Sequence, residues 1–479
     1  MSKKEKRKRK PIKHKKLFTF LSILLFIVSI ILIVYIYKMN VLGLKYFLIA
    51  SGALLIIDLI FSFIYLKRFK MKLKIVFVIL GIIFMAAEIF GIYNINQTAK
   101  FVEKIVSATV KEEIYNIYAL SDSKYESSKD LVEKNLGIFD NKNETLNDAM
   151  GELKKKVSKN FKKEKYYDDI EELLKAGINK KEDGLFITST MDQIMREEYP
   201  DLINKFKIID TVTVSYKEKI KKSNINVTKD PFILYISGID TYGSISTLSR
   251  SDVNILAVIN PKTGKILLVN TPRDYYVMLH SKKAYDKLTH AGIYGIKESM
   301  NTIEDIYNID IDFYIKVNFS SLIKLVDAIG GIDVDVRYSC AYEGIRVNKG
   351  HQHLDGKEAL TFARCRKELP EGDITRGENQ EEVIRALVEK LSSASIISKY
   401  ATILNTMSNS FVTNMDKDDI YKLAKYQLNK KPTWEISQAN ASGTGAYKPT
   451  YSAGRTNLYV MMPDNDSINS IKSSIYAIQ

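Results

Sequence analysis

Cysteine is nearly absent from this chain: Cys340 and Cys365 are the only two in 479 residues. Two cysteines exclude a disulfide-stapled scaffold, and no metal-ligand spacing involves either of them. They are left as a disulfide in an oxidising compartment or as two buried thiols. Histidine is almost as scarce, at five residues, and the one close pair, His351 and His353, reads as polar loop surface rather than as a zinc site. The chain beyond its apolar start also lacks a Gly-x-Ser-x-Gly elbow, a His-Glu-x-x-His pair, a phosphate-binding Gly-rich loop ending in Lys-Ser or Lys-Thr, and a dinucleotide fingerprint. Nothing there signals a serine nucleophile, a catalytic zinc or a bound nucleotide. Whatever chemistry the chain performs rests on arginine and aspartate.

Long apolar runs, in contrast, are present, and three of them open the chain: Leu17 to Tyr37, Val41 to Leu66 and Ile75 to Tyr93. Each is long enough to cross a hydrocarbon core of about 30 Å as a helix. The first is too long for a cleavable signal peptide and has no small-residue cleavage site before Lys38. The tail MSKKEKRKRKPIKHKK and the loop LKRFKMKLK between the second and third runs are strongly basic, whereas the loop after the first run is not. By the preference of basic loops for the cytoplasm, residues 1–16 form a cytoplasmic tail, 17–96 three transmembrane helices, and everything that follows lies outside. The same count disposes of nucleic acid as a partner. Of the net charge of +15, residues 1–96 carry +14, with 17 Lys and Arg against three Asp and Glu, which leaves +1 for the remainder. Asp58 and Glu88 sit inside the apolar runs, where each costs a few kcal/mol unless neutral or paired, so a role inside the bundle is open to them.

Residues 97–228 are rich in charge and poor in Gly and Pro, and segments such as YYDDIEELLKAGI have helical period, so a mainly helical accessory domain is expected. Asn224 to Pro231 reads as a link, after which strands begin: FILYISGID, VNILAVIN and KILLVNT, the last two joined by the turn PKTG. A hairpin closed by that turn pairs positions whose numbers sum to 525, which sets Asp252 opposite Arg273. Arg250 and Asp252 share a face at the open end of this hairpin, and Asp240 ends the preceding strand. Carboxylates at Asp240 and Asp252 beside Arg250 and Arg273 suit a hard divalent cation next to a phosphate clamp; a salt-bridged sheet end is the plainer alternative. Helices over Ser299–Ile306 and Ser320–Ile329, strands FYIKVNF and GIDVDV, and a stop at Gly330-Gly331 complete an alternating α/β pattern. Lys287, in KLTHAG, is one more cation within this region.

The stretch EALTFARCRKELPEGDITRGENQEEVIRALVEKL, from Glu358 to Leu391, places charge where a core is expected. With Asp373 as the N-cap, Val383, Ile384, Leu387 and Leu391 form the apolar face of a helix, and the same stripe runs back through Gln380 to Arg376. An arginine and a glutamine therefore point inward at a helix N-terminus, where unpaired N–H groups favour anions. If Leu360 to Arg366 is extended, Arg364 and Arg366 project from one face and join Arg376. Three converging guanidiniums suit a phosphate or pyrophosphate.

The blocks GID, RSD, NPKTGK, TPRD, FYIKVNF, LVDAIGGIDVDV, HLDGKEALTFARCRK and GDITRGENQEEVIRAL, in this order from Phe232 to Leu391, resemble the LytR-CpsA-Psr proteins of Gram-positive bacteria. The spans and the inserted accessory domain look like its capsule-associated members. The resemblance implies that residues 229–479 are an α/β/α sandwich around a mixed sheet, with an apolar tunnel for a polyprenyl chain. It also implies transfer of a glycopolymer, such as capsule or teichoic acid, from a polyprenyl-pyrophosphate carrier onto peptidoglycan through a phosphodiester. Carried over position by position, Asp240 and Asp252 would ligate Mg2+, with Mn2+ as an alternative. Arg250, Arg273, Arg364, Arg366, Arg376, Gln380 and Lys287 would hold the pyrophosphate, Asp373 would orient Arg376, and Asp252, Arg273, Arg364 and Arg366 would carry the catalysis. KLTHAG departs from the family's usual run around Lys287. Two rival readings are a polyprenyl-pyrophosphate phosphatase and a membrane-anchored regulator that binds the lipid without turnover. The acidic metal candidates favour turnover, since lipid binding alone needs only cations and a tunnel.

Overall fold

The computed structural model describes residues 14–479 except 41, 108–109, 141–144, 218–222, 240–244, 246, 371, 394–402, 404–409 and 431. The described residues fall into two compact units, one built from the amino-terminal segment to Glu103 together with Lys417–Pro432, the other from the rest. In the first unit, α1 (Lys15–Met39), α2 (Leu44–Leu66) and α3 (Met71–Ser107) are helices long and apolar enough to cross a membrane. Their contact core is aromatic, with Phe18, Phe61 and Tyr65 around Leu25. Asp58 and Glu88 are both buried in this bundle, each beside Ser29, whose hydroxyl donates to Glu88 Oε1. Two carboxyl groups that would be costly facing lipid are thus turned toward neighbouring helices.

Residues 110–217 of the second unit are not mainly helical. They form a five-stranded sheet in the order β3-β2-β4-β1-β5 from β1 (Val110–Leu120), β2 (Asn135–Phe139), β3 (Lys163–Tyr167), β4 (Gly184–Thr188) and β5 (Phe206–Lys217). One face carries α4 (Leu146–Val157); the other carries α5 (Ile170–Ile178), α6 (Ser189–Glu198) and the single turn α7 (Pro200–Ile203). The helical expectation failed because β2 and β4 are five-residue apolar runs, NLGIF and GLFIT, too short to display a period, set between charged helices whose period dominates.

The remaining chain builds a six-stranded mixed sheet, β16-β11-β6-β7-β8-β17, from β6 (Phe232–Ile239), β7 (Ser251–Asn260), β8 (Lys265–Asn270), β11 (Phe313–Asn318), β16 (Phe411–Thr413) and β17 (Glu435–Asn440). The β7–β8 register is the expected one, Asn260 with Lys265 through Ile255 with Asn270. Short pairs flank this sheet: β9 (Tyr276–Met278) with β10 (Tyr285–Lys287), β12 (Ile332–Val336) with β15 (Gly350–Leu354), β13 (Cys340–Tyr342) with β14 (Ile345–Val347), and β18 (Gly443–Thr450) with β19 (Gly454–Pro463). Helix α8 (Leu288–Ala291) follows β10. One face of the large sheet is sealed by α9 (Ile296–Tyr307) and the C-terminal helix Asn465–Ile478, around Tyr235, Leu256, Val258, Val269, Ile303 and Ile475. The other face carries α10 (Phe319–Ile329), α11 (Gly356–Arg364) and α12 (Asp373–Ser392), giving the α/β/α layering. Both faces of β6 and β7 are covered, which is why these strands read as near-continuous apolar runs.

The two faces are not equally closed. On the α12 side, Leu234, Ile236 and Val253 lie on inner strands yet are only partly buried, as are Ile436 of the edge strand β17, Trp434 just before it and Ile384 of α12. The sheet face under α12 is thus the one whose mid-sheet apolar side chains stay partly accessible.

Candidate active site

The site forms at one edge of the large sheet, where β7 begins and β6, β8 and β11 end. Asp252 is the second residue of β7, and its backbone is pinned by a buried polar network. The Tyr235 hydroxyl lies 3.0 Å from Ser251 Oγ and donates to Asn254 Oδ1 at 2.7 Å, Ser237 Oγ is 2.8 Å from Ser251 Oγ, and Asn254 Nδ2 donates to the Ser251 carbonyl at 3.0 Å. The Asp252 carboxylate accepts from Thr289 Oγ1 at 2.8 Å on Oδ1 and pairs with Arg273 Nη1 at 3.0 Å on Oδ2. Arg250 Nη2 lies 4.0 Å from the same oxygen. Burial would raise this carboxyl, but Arg273, Arg250 and Arg376, with the Thr289 bond, hold it well below the usual carboxylate range. Asp252 in turn raises Arg273 above its ordinary value against the opposing effect of burial.

The segment around Lys287 is folded onto the same edge. Thr289 N donates to the Arg273 carbonyl at 2.8 Å and Leu288 N to that of Tyr275 at 2.8 Å. Buried Asp286 holds the turn, meeting His290 Nδ1 at 2.6 Å and accepting from the Lys287 and Ser452 backbone N–H groups at 2.7 and 2.8 Å. A Cβ on Gly292 would fall 2.6 Å from both the Ser249 carbonyl and the Ser251 nitrogen, so a glycine is needed for this close approach to the RSD backbone. Lys287 Nζ ends 3.5 Å from Asp274 Oδ1. Asp274 also faces Arg273 Nε at 3.8 Å and Arg366 Nη1 at 4.0 Å on its other oxygen. The sequence places Asp274 of the TPRD block beside Arg273 at this sheet edge but assigns it no role.

Helix α12 points its first turn here. Gly372, not Asp373, is the N-cap; Asp373 is the first helical residue, and its Oδ1 lies 2.5 Å from Arg376 Nη2. A Cβ on Gly377 would sit 1.8 Å from Asn270 Nδ2 at the end of β8, so only glycine lets the helix come this close. Burial lowers Arg376 below the ordinary arginine value, opposed by Asp373. Gln380 is buried as expected, with Nε2 donating to the Ala363 carbonyl of α11 at 3.1 Å.

The expected extended strand over Leu360–Arg366 is a helix up to Arg364, so Arg364 and Arg366 do not share a strand face. Asp355 caps α11 by accepting from Lys357 N and Glu358 N, and this capping box starts the helix that carries Arg364. The Arg364 guanidinium lies 4.0 Å from the Phe319 ring centre and 4.4 Å from that of Tyr342. Phe319 directly follows Asn318, which pairs with Ile239, so Arg364 stands at the same sheet edge. Cys340 and Cys365 form a disulfide that ties the C-cap of α11 to β13, between the two arginines. His351 and His353 are exposed and face Asp335 and Asp333 across β12–β15. Asp240 lies outside the described residues.

Within this cluster the Nε atoms of Arg250, Arg273 and Arg376 are all buried and have no acceptor among the described residues. Three enclosed cationic donors without acceptors are expensive to bury, and an anion with several oxygens resolves all three. A further acidic group comes from the other sheet: Glu197 of α6 pairs with Arg250 at 2.7 and 2.9 Å. Sequence reasoning gave no sign of it, because MREEYP looks like any solvated helix end.

A family model described as the LytR_cpsA_psr family matches residues 204–475. The chain is 36% identical over 233 residues to an Enterococcus faecalis protein named polyisoprenyl-teichoic acid–peptidoglycan teichoic acid transferase TagU, covering 48% of this chain and 76% of that one. It is 33% identical over 231 residues to the Bacillus subtilis protein of the same name, covering 48% and 74%. The crystal structure of Bacillus subtilis TagU matches at 29% identity over 52% of this chain and 97% of that one, with a TM-score of 0.41. The chain belongs to the LytR-CpsA-Psr family.

Proposed function

We propose that this protein is a membrane-anchored transferase that moves a glycopolymer from a polyprenyl-pyrophosphate carrier onto peptidoglycan. The observation that carries the reading is the trio of buried, acceptor-free Nε–H groups on Arg250, Arg273 and Arg376 at the edge of a sheet whose α12-side apolar face stays partly accessible. A polyprenyl diphosphate would supply anionic oxygens for the arginines and a hydrocarbon chain for the partly accessible apolar face. The names of the two TagU relatives support the same reaction class.

In this reading the diphosphate lies against Arg250, Arg273 and Arg376, with buried Lys287 and the more exposed Arg366 beside it through Asp274 and with Arg364 held by its two rings. Asp373 orients Arg376, and Gln380 locks α12 to α11 behind it. Attack by a wall hydroxyl on the phosphorus nearer the glycan forms the phosphodiester and releases polyprenyl phosphate, a transfer in which positioning and charge neutralisation carry most of the rate. Asp252, ionised and rigidly held, offers hard oxygen chemistry that fits Mg2+, with Mn2+ as the alternative and Asp240 as the second ligand. Such an ion would neutralise charge on the diphosphate. No group of three metal-ligating side chains occurs among the described residues, and Asp240 lies outside them.

The basic tail and the basic loop between α2 and α3 support a cytoplasmic N-terminus, with residues from about 97 onward extracytoplasmic. That side holds both the lipid-linked donor and the wall. The test is transfer of labelled glycan from a defined lipid donor by the detergent-purified chain, with Arg376→Ala as the control that removes one orphan donor.

A further inference from the structure

Arg250 directly precedes β7 of the large sheet, but its guanidinium is gripped from a helix of the smaller one. Glu197, the ninth residue of α6, presents Oε2 to Nη1 at 2.7 Å and Oε1 to Nη2 at 2.9 Å, a two-pronged pairing that fixes the plane of the guanidinium. Arg250 is 5% exposed and Glu197 45%, so the carboxylate reaches in from the rim to an arginine that is otherwise enclosed. Burial would raise Glu197, yet Arg250 and Arg273 hold it below its ordinary value, and it stays ionised. Glu197 takes one N–H from each terminal nitrogen, and Nε is the Arg250 nitrogen left buried without an acceptor among the described residues, one of the three in the site.

The grip is rigid, because the two sheets share a core. Met191, Ile194 and Met195 of α6 pack in one apolar cluster with Ile293, Ala453 and Leu458 from the far side of the interface. Tyr199 donates to the Ala453 carbonyl at 3.4 Å, and Arg455 N donates to Asp169 Oδ2 at 3.1 Å. A Cβ on Gly454, at φ +81°, would fall 2.8 Å from that carboxylate. Ile293 adjoins Gly292, the residue pressed against the backbone of Arg250 itself. The packing that seats α6 is therefore continuous with the backbone that bears the clamp.

We propose that Glu197 is a positioning residue of the transfer site, and that the accessory sheet thereby completes the diphosphate clamp by holding Arg250 in its binding orientation. The proposal rests on reading the site as a clamp for a lipid diphosphate. An arginine free to swing must be ordered again each time donor binds, which weakens donor binding more than turnover.

The test uses the full-length protein in detergent, a polyprenyl-diphosphate glycan as donor and peptidoglycan as acceptor. Glu197→Gln raises the donor KM on the order of tenfold while kcat stays within about threefold, and Glu197→Asp recovers part of the loss. In an Arg250→Ala background, Glu197→Gln has no further effect, since the partner it positions is gone. An unchanged KM, a lower KM, or the same loss in both backgrounds overturns the proposal; a lower KM would make Glu197 a competitor for the arginine. Wild-type protein that neither binds nor transfers the donor removes the underlying reading instead, which separates the two failures.

Discussion

Asp252 and Arg273 meet at 3.0 Å although the β7–β8 ladder ends at Ile255 and Asn270. The ladder is extended by one bond, Thr271 N to the Asn254 carbonyl at 2.9 Å, before Pro272 leaves the strand. Past that point the two side chains close the open end of the hairpin by charge. This pair joins the metal candidate to the phosphate clamp, and most of what can be tested follows from it.

Asp252→Asn keeps the shape and the Thr289 contact but removes the charge. Mn2+ titrated into the full-length protein and followed by electron paramagnetic resonance should bind at least about tenfold more weakly to the variant, while donor lipid still binds. Equal Mn2+ affinity in both proteins would take Asp252 out of the metal site.

Burial separates the arginines. Arg376 is enclosed, whereas the Arg366 side chain is 40% exposed at the rim. Removing a desolvated charge-assisted bond costs about 1.5 to 3 kcal/mol, so Arg376→Ala should lower transfer roughly ten- to a hundredfold, and Arg366→Ala less. Arg364→Lys should rescue poorly relative to wild type, because an ammonium does not replace a planar group held between Phe319 and Tyr342. Measured rates in the reverse order would contradict the burial argument.

Glu381 supplies a pH prediction. Burial pushes its carboxyl up to about 8 from 4.5, opposed by the Asn440 amide. The folded chain therefore keeps a proton that the unfolded chain loses, so stability is full below about pH 4.5 for this group and declines as pH rises toward 8. Glu381→Gln, which mimics the protonated form, should flatten that decline by a few kcal/mol, on the order of one kcal/mol per pH unit. Thermal unfolding in detergent from pH 5 to 9 checks it, and parallel curves for both proteins would count against it.

The Cys340–Cys365 disulfide closes a loop of 25 residues beside two site arginines. Thiol labelling of the unreduced protein should find neither cysteine free. Replacing both by serine should cost about 3 kcal/mol and lower transfer, since the C-cap of α11 loses its tether. Two reactive thiols in the native protein would reject the bond.

Much of the site was legible because its residues sit at the ends of strongly patterned elements. The PKTG turn fixed the register that brings Asp252 toward Arg273, and the apolar stripe of α12 fixed the inward course of Arg376 and Gln380. The segment Leu360–Arg366 was misread as extended because charge hid its helical face; the Asp355 and Glu358 capping box was the available signal. The accessory sheet was missed because two of its inner strands, β2 and β4, are apolar runs too short to display a period. Glu197 was invisible for a different reason: its role depends on how two sheets pack, and no local pattern encodes that. Asp274 is placed at the sheet edge by the sequence, but its role is not legible there, because three cations share it only in three dimensions.

The central claim is tested most directly by following both halves of the donor at once. Full-length protein is incubated with a polyprenyl-diphosphate glycan, labelled in the glycan, and with insoluble peptidoglycan, and the lipid product is analysed alongside the washed wall. The account predicts label released from the wall only by muramidase, in amounts equal to the polyprenyl phosphate formed, and strongly reduced in Arg376→Ala. Free phosphorylated glycan with an unlabelled wall would make the protein a phosphatase, and donor bound but unchanged would make it a lipid-binding regulator; either result contradicts the account.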